Sequence, residues 1–238
     1  MVKLLQTWIE NLDNILGGGI PAGSNIFLYG PPGSGKTSFS ISVLSKNLEN
    51  GVPCLCITMD ESPRMVRERF ADFGCDTKEF EDENLFQIID CYTWRLGEWA
   101  ESTEKRFVSS LRDLNQLIRL FIESMEELKI VEKGGIVLFD TLSTLVMYAG
   151  LNLTYKATNS LTAMIREANA ISFLVLEEGV HEERTMATLN YITEGTIRFK
   201  TEHERLYFRV ERLKRSPHMT HWIPFKLSST GLEIIKVR

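Results

Sequence analysis

Residues 25–37, NIFLYGPPGSGKT, combine a buried-strand pattern with a glycine-rich loop. The apolar run NIFLYG ends in glycine, and residues 36–50 have the length and spacing of a helix. The loop between them fits G-x-x-x-x-G-K-[ST], in which backbone N–H groups curl around a phosphate at a helix N-terminus. We therefore assign a nucleotide-binding loop to Gly30, Pro31, Pro32, Gly33, Ser34, Gly35, Lys36, Thr37 and Ser38.

The same context predicts a magnesium site. Lys36 is placed to bridge β- and γ-phosphates, and Thr37 is placed to ligate Mg²⁺. Asp140 ends the apolar run GIVLFD, residues 135–140. A carboxylate at the C-terminal tip of a buried parallel strand can hold magnesium through its water shell, so Thr37 and Asp140 are the predicted metal ligands.

Two adjacent acids, Asp60 and Glu61, end the strand candidate that follows the loop helix. Carboxylates there could orient a water molecule and take its proton during attack on a γ-phosphate. Alternatively, they only enrich the first turn of the next helix, where acids suit the helix dipole. Spacing alone leaves both interpretations open.

The rest of the chain predicts an α/β fold. Apolar runs without alternation indicate buried strands at residues 53–59, 85–90, 135–140 and 171–177. Helical patterns separate them, from the N-cap candidate Ser62 to the stop signal Gly74, over 101–133 and near 157–169. After about residue 190 the pattern becomes polar–apolar alternation, with strand candidates at 191–200, 205–214, 221–227 and 232–237. We expect one domain, residues 1–238, with a mostly parallel twisted sheet flanked by helices and antiparallel strands at its C-terminus.

Composition describes an ordinary globular protein with a net charge of −5 and 43% hydrophobic residues. This acidic balance argues against a protein that coats DNA, because phosphate binding needs a basic surface. The sequence has no signal-peptide pattern and no run of 18 apolar residues, which favours a cytoplasmic protein with no membrane partner. The four cysteines lack C-x-x-C spacing and are expected as buried core thiols.

A basic cluster stands near the C-terminus in RVERLKRSPHM, residues 209–219. Residues two apart on a strand share a face, so Arg212 and Lys214 could converge on one polyanion. The cluster could equally be a solvated strand at a sheet edge, where charge discourages aggregation. A third interpretation is a contact with DNA.

Taken in order, these pieces resemble the RecA superfamily, and more closely its KaiC-like branch. TWIENLDNILGGGIPAGS (7–24) is similar to the family's opening, except that Trp8 replaces a usual glycine. ITMDESP (57–63) resembles the strand end with paired acids, although the first acid is the shorter Asp60. RLKRSPHM (212–219), followed by IPF, resembles a basic stretch that leads into Ser-His-Met.

The resemblance implies a RecA-like P-loop ATPase that binds ATP and Mg²⁺ in ring-shaped homo-oligomers, usually hexamers, with ATP between neighbours. It implies that Asp60 and Glu61 are catalytic together with Lys36, the first acid activating water. It also implies that Arg212 and Lys214 act in trans on the neighbour's γ-phosphate, with His218 close to the neighbour's nucleotide. It does not indicate a client protein.

Two alternatives stay open. A RadA-like recombination protein would place DNA-contacting loops at the polar segments 148–158 and 178–190. Against it, the stretch EEGVHEERTMATL holds four glutamates and one arginine, which repels phosphate. The other alternative is an ATP-gated assembly factor with little hydrolysis, because the short Asp60 reaches less far than a glutamate.

Overall fold

The computed structural model describes residues 3–99 and 101–235. Within these residues the strands are β1 (Leu4–Leu5), β2 (Ile20–Pro21), β3 (Asn25–Gly30), β4 (Cys54–Thr58), β5 (Phe86–Asp90), β6 (Ile136–Asp140), β7 (Ile171–Glu177), β8 (Gly195–Glu202), β9 (Arg205–Leu213), β10 (Ile223–Ser228) and β11 (Gly231–Ile234). The helices are α1 (Leu12–Ile15), α2 (Lys36–Glu49), α3 (Pro63–Ala71), α4 (Thr77–Asp82), α5 (Leu114–Glu127), α6 (Ile130–Lys133), α7 (Leu142–Ala149), α8 (Leu151–Glu167) and α9 (Glu183–Tyr191), with a 3₁₀ segment at Thr93–Trp99.

The main sheet has the order β11-β10-β9-β8-β3-β7-β6-β4-β5. Every pair from β8 to β5 is parallel, and β9, β10 and β11 add antiparallel strands at one edge. The predicted fold class is therefore confirmed. Because β3, β4, β6 and β7 are parallel neighbours, their carboxyl ends meet at one edge of the sheet, where ligands bind in open α/β folds.

Local signals explain where several elements begin. Gly35 takes a left-handed φ of 90° directly before α2. Ser62 caps α3 by accepting a hydrogen bond from the backbone N–H of Met65, and Pro63 is the first helical residue, both as predicted. The β8–β9 hairpin turns through His203 and Glu204, both with positive φ, which matches the twist of the paired strands.

The predicted helix over 101–133 is wrong in its first part. The helix begins at Leu114, where the Asp113 side chain accepts a hydrogen bond from the backbone of Gln116. The preceding residues instead form bends and turns, and Phe107 makes an isolated parallel bridge with Asp90, the last residue of β5. Charged residues at positions 101–113 gave a helix-like composition, but the apolar repeat itself starts only at Leu114.

The boundaries of the other predicted helices and strands differ less from those in the structure. The helix expected near 157–169 is α8, which begins earlier, at Leu151. The hairpin strands expected at 191–200 and 205–214 are β8 and β9, and the last two strand candidates are β10 and β11. Residues 236 and 237, at the end of the last predicted strand, lie outside the described residues.

The core has two layers, one on each face of the sheet. On one face, Phe39 of α2 packs against Phe173, Phe199 and Phe208, with ring centroids 6.0, 5.4 and 5.5 Å away. On the other face, α5 and α8 bury their apolar sides. The four cysteines are buried and free, as expected for core thiols. Together these layers fix α2, and therefore the loop that precedes it, against the sheet.

Candidate active site

The carboxyl edge of the parallel strands forms a pocket of about 300 Å³ at the start of α2. Its lining includes most of the residues predicted from sequence: Pro32, Gly33, Gly35, Lys36, Thr37, Ser38, Asp60, Glu61 and Asp140. Five further lining residues were not assigned a role from sequence: Arg69, Thr141, Glu177, Leu206 and Leu227. Gly30, Pro31 and Ser34 lie beside the pocket within the same loop. The folded chain therefore brings the loop, both predicted metal ligands and the acid pair into one cavity.

Glycine is required at two positions of this loop. A Cβ at Gly30 would lie 2.6 Å from the backbone oxygen of Phe199. A Cβ at Gly35 would lie 2.9 Å from the ring of Phe225, and its φ is 90°. The hairpin strands thus hold the loop from behind, and only a residue without a side chain permits that approach.

Lys36 is almost fully buried and is held at three points. Its Nζ donates to the backbone oxygens of Gly30 and Pro31, at 2.9 and 2.8 Å, and to Glu177 Oε2 at 2.9 Å. Glu177 ends β7 directly beside Gly30 in the parallel register. Its position at the tip of ISFLVLE was the available sequence signal, the same one that indicated Asp140.

Thr37 and Asp140 form a joint oxygen site. The Thr37 hydroxyl donates to Asp140 Oδ1 at 3.1 Å. Burial, with the nearby carboxylates of Glu61 and Asp60, raises the pKa of Asp140 to about 7, although the Thr37 hydrogen bond and Arg69 oppose the shift. A hydroxyl and a carboxylate at the mouth of a phosphate loop suit Mg²⁺, which prefers oxygen ligands. The residues present therefore fit the metal that the loop implies.

The two adjacent acids have different surroundings. Glu61 is paired with Arg69, whose guanidinium donates to both carboxylate oxygens. Asp60 accepts on Oδ1 from the Thr144 hydroxyl and, at 3.4 Å, from Arg95. Both acids precede α3 instead of lying in its first turn, so the helix-dipole interpretation does not account for them.

A family model described as "ATPase: KaiC" matches residues 5–238. The chain belongs to this family. A UPF0273 protein of Methanopyrus kandleri is 26% identical over 98% of this chain and 92% of its own length. A UPF0273 protein of Pyrococcus furiosus is 34% identical over 54% of this chain, and the chain spans about half the length (51%) of that relative.

The fold of this KaiC-family chain also resembles a solved structure. The KaiC-like protein PH0186 of Pyrococcus horikoshii superposes with a TM-score of 0.81 over 99% of this chain and 100% of its own. The two sequences are 18% identical, so this likeness concerns the fold. None of the helices within 3–99 and 101–235 is long and apolar enough to cross a membrane.

The basic residues predicted to act in trans lie away from the pocket of their own chain. β9 runs antiparallel to β8, so Arg212, opposite Thr196, lies toward the end of the sheet remote from the phosphate loop. The Arg212 guanidinium donates to Asn190 and to the Thr193 hydroxyl, which tie it to the end of α9. Lys214 follows the strand and is exposed.

A bulge in β9 determines which way Arg212 points. The register shifts between Thr196 and Ile197, so that Val210 and Leu213, three residues apart, both enter the core. Strict alternation would have turned Arg212 inward beside Val210. His218 lies farther along and its Nδ1 is 3.0 Å from the backbone oxygen of Ser216. Sequence alternation alone did not show the bulge.

The two segments considered as DNA-contacting loops are largely helical. Residues 148–158 lie mainly in α7 and α8, and residues 178–190 lie mainly in α9. The RadA-like alternative would have loops at these places, whereas in this chain α7, α8 and α9 occupy most of both segments. Leu189 is buried against the sheet.

Proposed function

We propose that this KaiC-family chain is a Mg²⁺-dependent ATP hydrolase that works as a ring-shaped homo-oligomer with ATP at subunit interfaces. The observation that carries the proposal is the joining of Lys36, the Thr37–Asp140 pair and the two acids in one pocket. Mg²⁺ bound by Thr37 and Asp140 would neutralise phosphate charge.

In this proposal the chain's own groups divide the reaction between them. Lys36 exchanges Glu177 for the β- and γ-phosphates, and the loop N–H groups hold the nucleotide in place. The oxygen of a water molecule bonds to the γ-phosphorus as the bond from that phosphorus to the bridging oxygen breaks. An acid of the Asp60–Glu61 pair takes the proton of the water, and the products are ADP and phosphate.

The ring completes the site from a neighbouring subunit. Arg212 and Lys214 would stabilise the charge at the neighbour's γ-phosphate, and His218 would lie near the same nucleotide. Their location at the far end of the sheet supports this, since they cannot serve the pocket of their own chain. Arg212 would then have to exchange its bonds to Asn190 and Thr193 for a phosphate.

Phosphate release measured at saturating Mg·ATP tests the hydrolase. We expect turnover by the wild type, and loss of about 100-fold or more in Asp60→Asn, since a general base contributes on that scale. Lys36→Ala should weaken nucleotide binding by about 100-fold or more and abolish turnover. A wild type that binds ATP without releasing phosphate would instead support the ATP-gated assembly factor. That alternative is based on Asp60, whose side chain reaches less far than a glutamate.

Mixing two inactive variants tests the ring. Arg212→Ala/Lys214→Ala protein retains its own phosphate loop, and Lys36→Ala protein retains its basic strand. A mixed ring contains interfaces with both halves intact, so turnover should partly return. If mixed rings form by mass measurement and turnover stays absent, the trans assignment is wrong.

A further inference from the structure

Arg69 is a cation inside the pocket that belongs to the same chain as the phosphate loop. It lies in the last turn of α3, and side chains of a helix lean toward its N-terminus. The guanidinium therefore reaches back along the helix to Glu61, which stands just before the capping Ser62. The pattern that identified the acid pair contains no signal for this partner.

The contact is bidentate. Arg69 Nε donates to Glu61 Oε2 at 2.5 Å, and a terminal guanidinium nitrogen donates to Oε1. The backbone oxygen of Glu61 accepts from the Thr58 hydroxyl at 2.6 Å. Both the carboxylate and the backbone of Glu61 are thus held in place.

Asp60 accepts hydrogen bonds from the described residues on one of its two carboxylate oxygens. Both bonds to its carboxylate, from Thr144 and Arg95, use Oδ1. Among residues 3–99 and 101–235 no hydrogen bond to Asp60 Oδ2 is formed. The Asp60 side chain is 44% exposed and that of Glu61 is 19% exposed. Asp60 therefore keeps one carboxylate oxygen that accepts no hydrogen bond from the described residues, whereas both oxygens of Glu61 are engaged by Arg69.

We infer that Arg69 is a positioning residue which occupies Glu61 and so directs the proton of the attacking water to Asp60. This rests on the proposed hydrolysis. The Arg69 fork uses one lone pair on each oxygen of Glu61 and fixes the orientation of the carboxylate, so Glu61 cannot turn freely toward a water molecule while the pair is intact. Arginine suits the task because its planar fork matches both oxygens, whereas lysine offers a single point of contact.

A double variant separates the positioning role of Arg69 from a purely structural one. In Asp60→Asn the base is lost while Glu61 stays occupied. Adding Arg69→Met releases Glu61, which can then accept the proton in place of Asp60. A second substitution in the pocket should therefore restore activity, whereas a merely structural role of Arg69 would make the double variant worse.

The experiment compares single-turnover phosphate release in the wild type and four variants. We expect Asp60→Asn to lose about 100-fold, and Asp60→Asn/Arg69→Met to recover about tenfold of that loss. Adding Glu61→Gln to the double variant should remove the recovery. The matched control is Asp60→Asn/Arg64→Met, because Arg64 lies on the same helix but pairs with Glu68 on the surface, with 81% of its side chain exposed.

Binding of a fluorescent ATP analogue, measured in each protein, establishes that the pocket is folded. With binding intact, absence of recovery in the Arg69 double variant overturns the inference, as does equal recovery in the Arg64 control. A wild type that hydrolyses no ATP would refute the proposed function itself. That result differs from the failure of the Arg69 inference, in which the wild type hydrolyses ATP but the double variant does not recover.

Discussion

Replacing Glu177 by glutamine should release Lys36 for the phosphates of a nucleotide. The buried Lys36 ammonium lies 2.9 Å from Glu177 Oε2. A bound nucleotide and Glu177 compete for this one cation. Glutamine keeps the size and the hydrogen-bonding ability of the side chain but removes its charge, so the competition becomes weaker.

The distance sets the scale of the effect. Two unit charges 2.9 Å apart attract by about 6 kcal/mol at an effective dielectric constant of about 20. The net value is smaller, because the Gly30 and Pro31 oxygens continue to accept from Lys36 and the 24% exposed carboxylate regains water when it lets go. We expect a net change of about 1–2 kcal/mol, which corresponds to ATP binding about 5–30 times tighter.

Two readouts follow from this one change. Titration with a fluorescent ATP analogue should show the lower Kd, and the nucleotide-free variant should melt about 2–4 °C lower for each kcal/mol lost, because Lys36 is left buried without its counter-ion. The matched control is Glu178→Gln. Glu178 is the next residue but pairs with Arg198 outside the pocket, so its Kd should match wild type. Unchanged or weaker ATP binding by Glu177→Gln would refute the competition.

Three further predictions concern charge and packing. The folded-state pKa of Asp140 is about 7, above its ordinary value, so ionising this carboxyl lowers the free energy of unfolding as pH rises from about 4 to 7. Denaturant unfolding at pH 8 without nucleotide should therefore show that Asp140→Asn is more stable than wild type. Mg²⁺ should bind the wild type more tightly as pH rises through 7, because the carboxylate form is the ligand. Hydrogen bonding to Arg106 lowers the pKa of Glu127 to about 2. The ionised Glu127 therefore contributes about 1 kcal/mol to the free energy of unfolding, after allowing for solvent exposure; this is present above pH 4.5 and lost toward pH 2. Acid titration of Glu127→Gln should show no such loss. Phe39→Ala should lower the free energy of unfolding by about 3–5 kcal/mol, since its ring is fully buried among three others, and an effect below about 1 kcal/mol would contradict the packing.

The parts of the site that sequence predicted depend on local chemistry. The loop from Gly30 to Ser38 needs glycines at fixed spacing between a strand and a helix, and this requirement is visible in the letters alone. Asp140 and Asp60 were found because acids at strand ends gather at one edge of a parallel sheet. Each of these inferences needs only the period of the elements and the direction of the strands.

The parts that sequence missed depend on contacts between distant residues. Arg69 joins the pocket through the length and lean of its side chain, and nothing in its neighbours marks it out from Arg67. The bulge that turns Arg212 outward follows from which residues of β9 find room in the core. Residues 101–113 form bends and turns with a single bridge from Phe107 to Asp90 of β5, and their charged composition does not show this long-range contact.

Calorimetric titration of Mg·ATP into wild type and Lys36→Ala tests the central claim most directly, which is that this pocket holds the nucleotide. We predict one binding site per chain in the wild type, weakened about 100-fold or more when Lys36 is removed, with the melting temperature recorded to show that the variant is folded. Equal affinity in two folded proteins would contradict the account.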